Sequence, residues 1–220
     1  NGAANHYHLQ FSGDQIVLHD SVGSDGTDTL ARVETLQFSD KIVHVDTASH
    51  ASYADLPVEL YHFFIVAFNG APGVTYMDQL AEAYRYGLSV EQIVEIFTTK
   101  HQFTDVYPTS LSHHDLAVEL TNQIIKNSAT SDAKAEAAAD IQAALDIGWS
   151  VGKVIYTVFG NLAHMPLDDA KWGGTTRQFN NEIAVAKVYT EVLNQSTTEL
   201  DTLRDVLAPV DAFTDVSSQQ

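Results

Sequence analysis

An acidic, glycine-rich segment near the amino terminus is well suited to binding a hard metal ion. Asp25 and Asp28 supply carboxylate oxygens, and the backbone carbonyls near Gly23 and Gly26 can add more. Calcium takes about six to eight oxygen ligands, so these four residues are candidate ligands that need others to complete the shell. The alternative is a Gly/Asp turn between two strands, with Asp28 hydrogen-bonded to the local backbone.

Histidines at the same end of the chain offer a second set of metal ligands. His6 and His8 are two residues apart in an expected strand, so both side chains would share one face. His19 and His44 fall on other expected strands of the same small sheet. Converging imidazoles bind zinc or copper. The alternative is that these histidines are exposed strand residues without a metal.

A third candidate site combines an aromatic ring with polar side chains. Trp172 offers a face for stacking on a sugar, and Arg177 and Asn181 offer hydrogen-bond donors nearby. The competing interpretation is core packing, because Trp172 lies at an expected helix start and Phe179 and Ile183 follow at core spacing. We therefore keep both a glycan-binding role and a structural role for this segment.

No pattern in the sequence indicates catalysis. Ser112, His114 and Asp115 contain the residue types of a catalytic triad, but triad members are usually far apart in sequence and are defined by geometry. Ser112 followed by Asp115 is typical of a helix amino-terminal cap. The chain has neither a Gly-x-Ser-x-Gly nor a His-Glu-x-x-His motif. We expect a protein that is not an enzyme.

The amino-acid composition limits the kinds of molecule that the protein can bind. The chain has 220 residues, 45% of them hydrophobic, and a formal net charge of −18. That charge repels phosphate backbones and argues against nucleic acid. No apolar run approaches the roughly 20 residues that span a bilayer, so we expect no membrane span. There are no cysteines, which excludes disulfides and thiolate metal sites.

The elements that must position these residues change in type along the chain. Residues 1–46 alternate with a period of two, which predicts a small antiparallel β segment, and residues 47–57 are expected to form a linker. From residue 58 to about residue 208 the period is that of helices, and residues 209–220 are expected to form a tail. The predicted strands are His6–Phe11, Gln15–His19, Glu34–Phe38 and Lys41–Val45.

The fold class is therefore mainly α, with a bundle of about seven helices built as two similar helical units. Gly87-Leu88-Ser89 links helices in the first unit, and Gly148-Trp149-Ser150 does so 61 positions later in the second. A single unit cannot bury its apolar face alone, so two units packed together are expected. Further helix stops are predicted at Asn69–Gly73 and near Gly160, and one long helix at about Asp168–Leu193.

Two stretches resemble known families. Gly23–Ala31 resembles the nonapeptide of RTX (haemolysin-type) calcium-binding proteins, with Ser24 in place of the second glycine, and Arg32–Asp40 looks like the segment that often ends such arrays. The helical part from Val58 is similar to the domain-of-unknown-function family 4214. Phe68–Gly73 keeps the Phe and Pro of that family's motif but lacks its Arg and Asp, so the role of that pair cannot be carried over.

The resemblance implies a non-catalytic extracellular module of a calcium-associated surface protein, such as a surface-layer protein or adhesin, exported by a type I system of a Gram-negative bacterium. Expected partners are cell-surface polysaccharide or other copies of the chain, and calcium is the expected cofactor. One alternative is the carboxy-terminal secretion and docking appendage of a type I-secreted hydrolase. Another is a cytosolic helical scaffold with no link to calcium.

Overall fold

The computed structural model describes residues 2–3, 6–12, 15–31, 33, 35–40, 42–44 and 53–217. The chain divides into two compact units, a β unit of residues 1–54 and a helical unit of residues 55–220. The fold class is the one that the sequence predicts, since the protein is mainly helical and small antiparallel sheets precede the helices.

The β unit contains two small sheets. Its strands are β1 (Tyr7–Ser12), β2 (Gln15–Asp20), β3 (Thr27–Ala31), β4 (Thr35–Gln37) and β5 (Ile42–His44). β1, β2 and β3 form one antiparallel sheet in that order, and β4 pairs with β5 in a second sheet. The buried side chains of Ile16, Leu36 and Phe38 form the core of the unit. The sequence prediction missed β3, because its acidic and threonine-rich sequence follows a glycine turn without an apolar alternation.

Some residues of the predicted strands and linker are not among those that the structure describes. Glu34, Lys41 and Val45 lie outside the described residues. So does the first part of the predicted linker, up to residue 52.

The helical unit contains nine α-helices within the described residues. They are α1 (Glu59–Phe68), α2 (Gly73–Arg85), α3 (Val90–Phe97), α4 (His101–Thr104), α5 (His113–Ile125), α6 (Ser131–Asp146), α7 (Val151–His164), α8 (Gly173–Lys187) and α9 (Leu200–Leu207). No helix in this part of the chain is both long enough and apolar enough to cross a membrane.

Three helix boundaries differ from the prediction. α8 begins only at Gly173, because the Asp169 carboxylate accepts the backbone N–H groups of Lys171 and Trp172 and holds the preceding residues in a turn. α8 ends at Lys187, and the next five residues, Val188–Val192, form a π-helical turn. α7 continues past Gly160 to His164, since Phe159 and Leu162 on either side are buried and hold it in the core.

α1 lies at the centre of the helical unit. Nine of its ten residues are buried, and it packs against α2, α3, α5, α7 and α8. The sequence predicts an apolar stripe, but Tyr61, His62 and Ile65, which lie outside that stripe, are buried as well. A helix buried on all sides is the central element of a helical core, so the other helices are arranged around α1.

The two turns that suggested a repeat have the same hydrogen-bond pattern. Gly87 and Gly148 have φ angles of 95° and 93°, which glycine adopts without a steric penalty. After each glycine, the next N–H donates five residues back, from Leu88 to Ala83 and from Trp149 to Ala144. The following serine caps the next helix in both cases. The local geometry is thus equivalent at positions 61 residues apart.

The contact between α3 and α7 depends on the absence of a side chain at Gly152. A Cβ added there would lie 2.8 Å from the backbone Cα of Glu95. We expect Gly152→Ala to lower the free energy of unfolding by about 1–3 kcal/mol, because the helices must separate. Chemical denaturation followed by circular dichroism measures this change.

Gly160 on the same helix is the matched control, since a Cβ there would meet nothing within 4 Å. Gly160→Ala should raise the free energy of unfolding by roughly 0.5–1 kcal/mol, because alanine favours the helix over the unfolded chain. The same sign of change for both variants would contradict the close contact at Gly152.

Candidate ligand-binding cleft

A large polar cleft in the helical unit lies beside the start of α8. Its lining residues come from 126–130 after α5, from 169–178 around the start of α8, and from 208–213 after α9. We call it the α8 cleft. Its volume is about 1000 Å³, enough for several sugar rings or a comparable polar ligand.

Cations are concentrated in the α8 cleft. Lys126, Lys171 and Arg177 line it, which is three of the 11 lysines and arginines in the chain. The carboxylates that line it are those of Asp169 and Asp211. Three cations and two carboxylates thus line the cleft in a chain whose net charge is −18, and two of the cations, Lys126 and Lys171, are paired with Glu182 and Glu136. This contrast favours an anionic or strongly hydrogen-bonding ligand over a cation.

Lys126, which lines the cleft on the α5 side, belongs to a buried ion pair. The Lys126 ammonium lies 2.7 Å from Glu182 Oε1 and donates to the Leu207 carbonyl at 3.1 Å. The Gln178 amide also donates to Glu182 Oε1, at 3.1 Å. Burial raises the pKa of Glu182 to about 7, although Lys126 and Gln178 favour its charged form. This network ties α5, α8 and the end of α9 together.

The pairing of Lys126 with Glu182 was not predicted from the sequence. Glu182 is only 3% exposed and lies on α8 between Phe179 and Ala186, both buried. A glutamate at i+3 from one core residue and i−4 from another is expected on the buried face of a helix. That spacing is the signal that could have identified Glu182, but nothing local points to Lys126, 56 positions earlier.

Backbone contacts fix the start of α8 in the cleft wall. Arg177 Nη1 donates to the Leu167 carbonyl. Lys171 forms an ion pair with Glu136 on α6, and its ammonium lies 5.3 Å from the centroid of the Trp172 ring. Two backbone N–H groups, first that of Trp172 and then that of Lys171, lower the pKa of Asp169. Asp169 is thus held as a charged acceptor that orders this turn.

Asn181 supports the opposite wall of the cleft. Its amide donates to the carbonyls of Asp211 at 2.8 Å and Thr214 at 3.1 Å. These bonds hold residues 209–214, which the sequence assigned to a tail, against the helical unit. Val210 is buried there, and the Phe213 ring at the cleft rim is 88% exposed.

The structure thus separates the three residues predicted to bind a partner. Arg177 lines the α8 cleft, Asn181 supports its wall, and half-buried Trp172 lines a second cavity between α5, α6 and α7. Phe213 could not be identified as a binding residue from the sequence, because it follows the last helix in an irregular segment.

The predicted calcium ligands occupy the hairpin between β2 and β3 and the start of β3. Gly23, Asp25 and Gly26 are exposed in the hairpin, and Asp28 is exposed on β3 opposite Leu18. Asp25 accepts a 2.7 Å hydrogen bond from the Tyr7 hydroxyl. No cluster of three or more metal-binding side chains occurs among the residues described. Calcium binding by these residues stays a prediction.

Asp20, which sequence analysis did not consider, organises this hairpin. Its carboxylate accepts the backbone N–H groups of Gly23 at 2.8 Å, Asp25 at 3.0 Å and Val22 at 3.1 Å. These bonds, with Gly23 the largest contributor, lower the pKa of Asp20. The hairpin is therefore ordered by its own protein groups.

The histidines are not arranged as the alternation predicted. His6 precedes β1 in a 3-10 turn, so its position does not alternate with that of His8. His8 pairs with His19 in the strand register, and its side chain lies outside the description. His19 Nδ1 lies 2.8 Å from Thr27 Oγ1, and His44 belongs to the other sheet. The expectation of one shared sheet was wrong, because in the part of the chain that the structure describes β4 pairs with β5 in a separate sheet.

The Ser112, His114 and Asp115 segment is a helix cap. Ser112 Oγ accepts the Asp115 N–H at 3.1 Å and donates to the Asp115 carboxylate at 2.6 Å. His114 Nδ1 lies 3.1 Å from Gln142 Oε1 on α6. The serine hydroxyl is thus directed to the aspartate of its own turn, which is the geometry of a cap.

Comparisons with known proteins give no relative. No protein-family model, no curated protein and no solved structure matches this chain significantly. The resemblances seen in the sequence therefore stay predictions, and the geometry of the α8 cleft is the main guide to function.

Proposed function

We propose that the helical unit is a non-catalytic binding module that holds an acidic polysaccharide in the α8 cleft. The observation that carries this proposal is the concentration of cations in a large open cleft of a strongly acidic chain. A polysaccharide with carboxylates supplies negative charge together with many hydroxyl groups, and it fits an open groove better than a closed pocket.

The side chains around the cleft suit such a ligand. Lys171 and Arg177 provide charged donors, and the Gln178 side chain also lines the cleft. The exposed Phe213 ring at the rim provides a flat apolar face on which a sugar ring can lie. Because Asn181 holds the Phe213 segment in place, little ordering is needed when the ligand binds.

The setting that we propose for this module is the outside of a Gram-negative cell, as part of a surface-layer protein or adhesin exported by a type I system. The β unit would then end a calcium-binding array. Support for this part of the proposal comes from the resemblance of Gly23–Ala31 to the RTX nonapeptide and from its position directly before the helical unit.

Binding of a polyuronate tests the function. Calorimetric titration with oligomers of alginate should show binding, and Phe213→Ala should weaken it about tenfold, a loss of roughly 1.4 kcal/mol. Phe213 is highly exposed, so this variant should fold normally. Combining Lys171→Ala with Arg177→Gln should weaken binding further and reduce its dependence on salt.

Lys100→Ala is the matched control, since it removes one positive charge from an exposed position outside the cleft. It should leave binding unchanged. Dextran, a neutral glucan of similar length, should bind more weakly than alginate. Equal affinities for the cleft variants and the parent protein would exclude the α8 cleft as the binding site.

A further inference from the structure

A second cavity, which no part of the proposed function uses, lies between α5, α6 and α7. Its volume is about 210 Å³. The walls are mostly apolar and include Ile124, Ile125, Ile141, Val158, Leu162 and Met165. The Trp172 ring at the start of α8 also lines it. An apolar cavity of roughly 150 Å³ in another protein stays dry and binds benzene, so this one has room for a single ring with a short substituent.

The polar groups around the cavity indicate the charge of its ligand. Glu136 and Asp140, both on α6, line it and are exposed. Glu136 pairs with Lys171, whereas Asp140 forms no ion pair within the part of the chain that the structure describes. A negative rim around an apolar cavity favours a ligand with a positive group and disfavours a carboxylate.

The buried hydroxyl group of Thr121 independently favours a ligand with a polar group. Thr121 lines the cavity from α5 and is only 3% exposed, and its hydroxyl has no hydrogen-bond partner among the residues described. An unsatisfied buried hydroxyl is unfavourable, so a ligand with a polar group would improve its environment.

We propose that this cavity binds a small cationic amphiphile, a single aromatic ring or short alkyl chain that carries a primary amine. The apolar part packs against the isoleucines and Trp172, and the ammonium group lies at Glu136 and Asp140. The site is distinct from the α8 cleft, because the two share no lining residue.

Benzylamine is a suitable probe, and Trp172 is a built-in reporter. The chain has two tryptophans, so Trp149→Phe leaves Trp172 as the only one. In this background, titration with benzylamine should change the tryptophan emission with a dissociation constant on the order of 1 mM. Benzyl alcohol, which has the same shape and no charge, should bind several-fold more weakly. Benzoate should bind at least tenfold more weakly than benzylamine.

Two variants on α6 locate the binding. Ala137 lines the cavity, so Ala137→Leu should fill it and abolish the change in emission. Ala139→Leu adds the same side chain at an exposed position outside it and should have no effect. Binding that survives Ala137→Leu would overturn the proposal.

Charge is tested separately with Glu136→Gln combined with Asp140→Asn. Both residues are exposed, so this variant should fold even if Ala137→Leu does not. It should bring the affinity for benzylamine down to that for benzyl alcohol. An unchanged preference for the amine, or benzoate binding as tight as benzylamine in the parent protein, would overturn the assignment of a cationic ligand.

Discussion

Replacing Lys126 with methionine will destabilise the helical unit by about 3–5 kcal/mol at pH 8, because it leaves the Glu182 carboxylate buried without its cation. At pH 5.5 the loss should be much smaller. Burial raises the pKa of Glu182 to about 7, so at the lower pH the carboxyl group is mostly protonated and needs no positive partner. Chemical denaturation at the two pH values measures the difference.

The sign of this effect follows from proton binding. The folded pKa of Glu182 lies above its ordinary value of 4.5, so the folded state holds a proton that the unfolded state has lost. The contribution to stability is fully present below pH 4.5 and is lost as the pH rises through about 7. Without Lys126 the folded pKa should rise further, which extends the loss above pH 7.

Glu182→Gln provides the matched control. The amide keeps the shape of the side chain and an oxygen that can accept the Gln178 hydrogen bond, but it has no charge to neutralise. Combined with Lys126→Met it should recover most of the lost stability at pH 8. If Lys126→Met costs the same at pH 5.5 and pH 8, Glu182 is not the group that Lys126 stabilises.

Replacing His62 with leucine will remove an acid-sensitive contribution to stability of about 3 kcal/mol between pH 7 and pH 4. His62 on α1 is 6% exposed, and its ring centroid lies 5.0 Å from that of Phe179 and 5.9 Å from that of Phe159. Its Nδ1 has no hydrogen-bond partner among the residues described. An imidazolium in this environment would be poorly solvated.

The pKa of His62 is lowered from 6.5 to about 4, mainly by burial. Glu59 opposes this shift, and Lys187 on α8 and His164 on α7 add to it. The unfolded state therefore takes up a proton between pH 6.5 and pH 4 that the folded state does not. The contribution to stability is present above pH 6.5 and is lost as the pH falls towards 4. As the pH falls from 6.5 to 4, the free energy of unfolding of His62→Leu should increase by about 3 kcal/mol relative to that of the parent protein.

His101→Gln is the control for the His62 prediction, since it removes an exposed imidazole from the same unit. It should leave the pH dependence of stability unchanged. If the free energy of unfolding depends on pH in the same way in His62→Leu and in the parent protein, the buried His62 ring does not contribute to destabilisation by acid. Titration of Glu182 and of His62 changes stability in opposite directions between pH 4.5 and pH 6.5. The free energy of unfolding of the parent protein should therefore vary less with pH in this range than that of His62→Leu or Glu182→Gln.

Several features of the fold could be predicted from the sequence because their causes are local. Ser89, Ser112 and Ser150 cap helices as expected, since each hydroxyl accepts an N–H only three residues ahead. Gly87 and Gly148 end helices as expected, because the required positive φ belongs to one residue. Ser89 and Gln92 have the spacing of a capping box, and both of its hydrogen bonds are present.

The candidate sites could not be predicted from the sequence, because each is formed by segments that are far apart in the chain. The α8 cleft is built from three segments that are distant in the chain, and the spacing of Arg177 and Asn181 could not show that one lines it and the other supports its wall. The expected sugar platform at Trp172 lies in another cavity, and the exposed ring at the cleft rim is Phe213.

By itself, the sequence determined the change from strands to helices along the chain, several caps and stops of the helices, and the acidic character of the protein. The tertiary structure decided that α1 is buried on all sides, that Lys126 meets Glu182, and that cations gather beside α8. The physical reason is the distance along the chain over which each interaction acts. A cap or a glycine turn depends on atoms within a few residues, whereas burial and ion pairing depend on which helices pack together, and many packings satisfy the same local pattern.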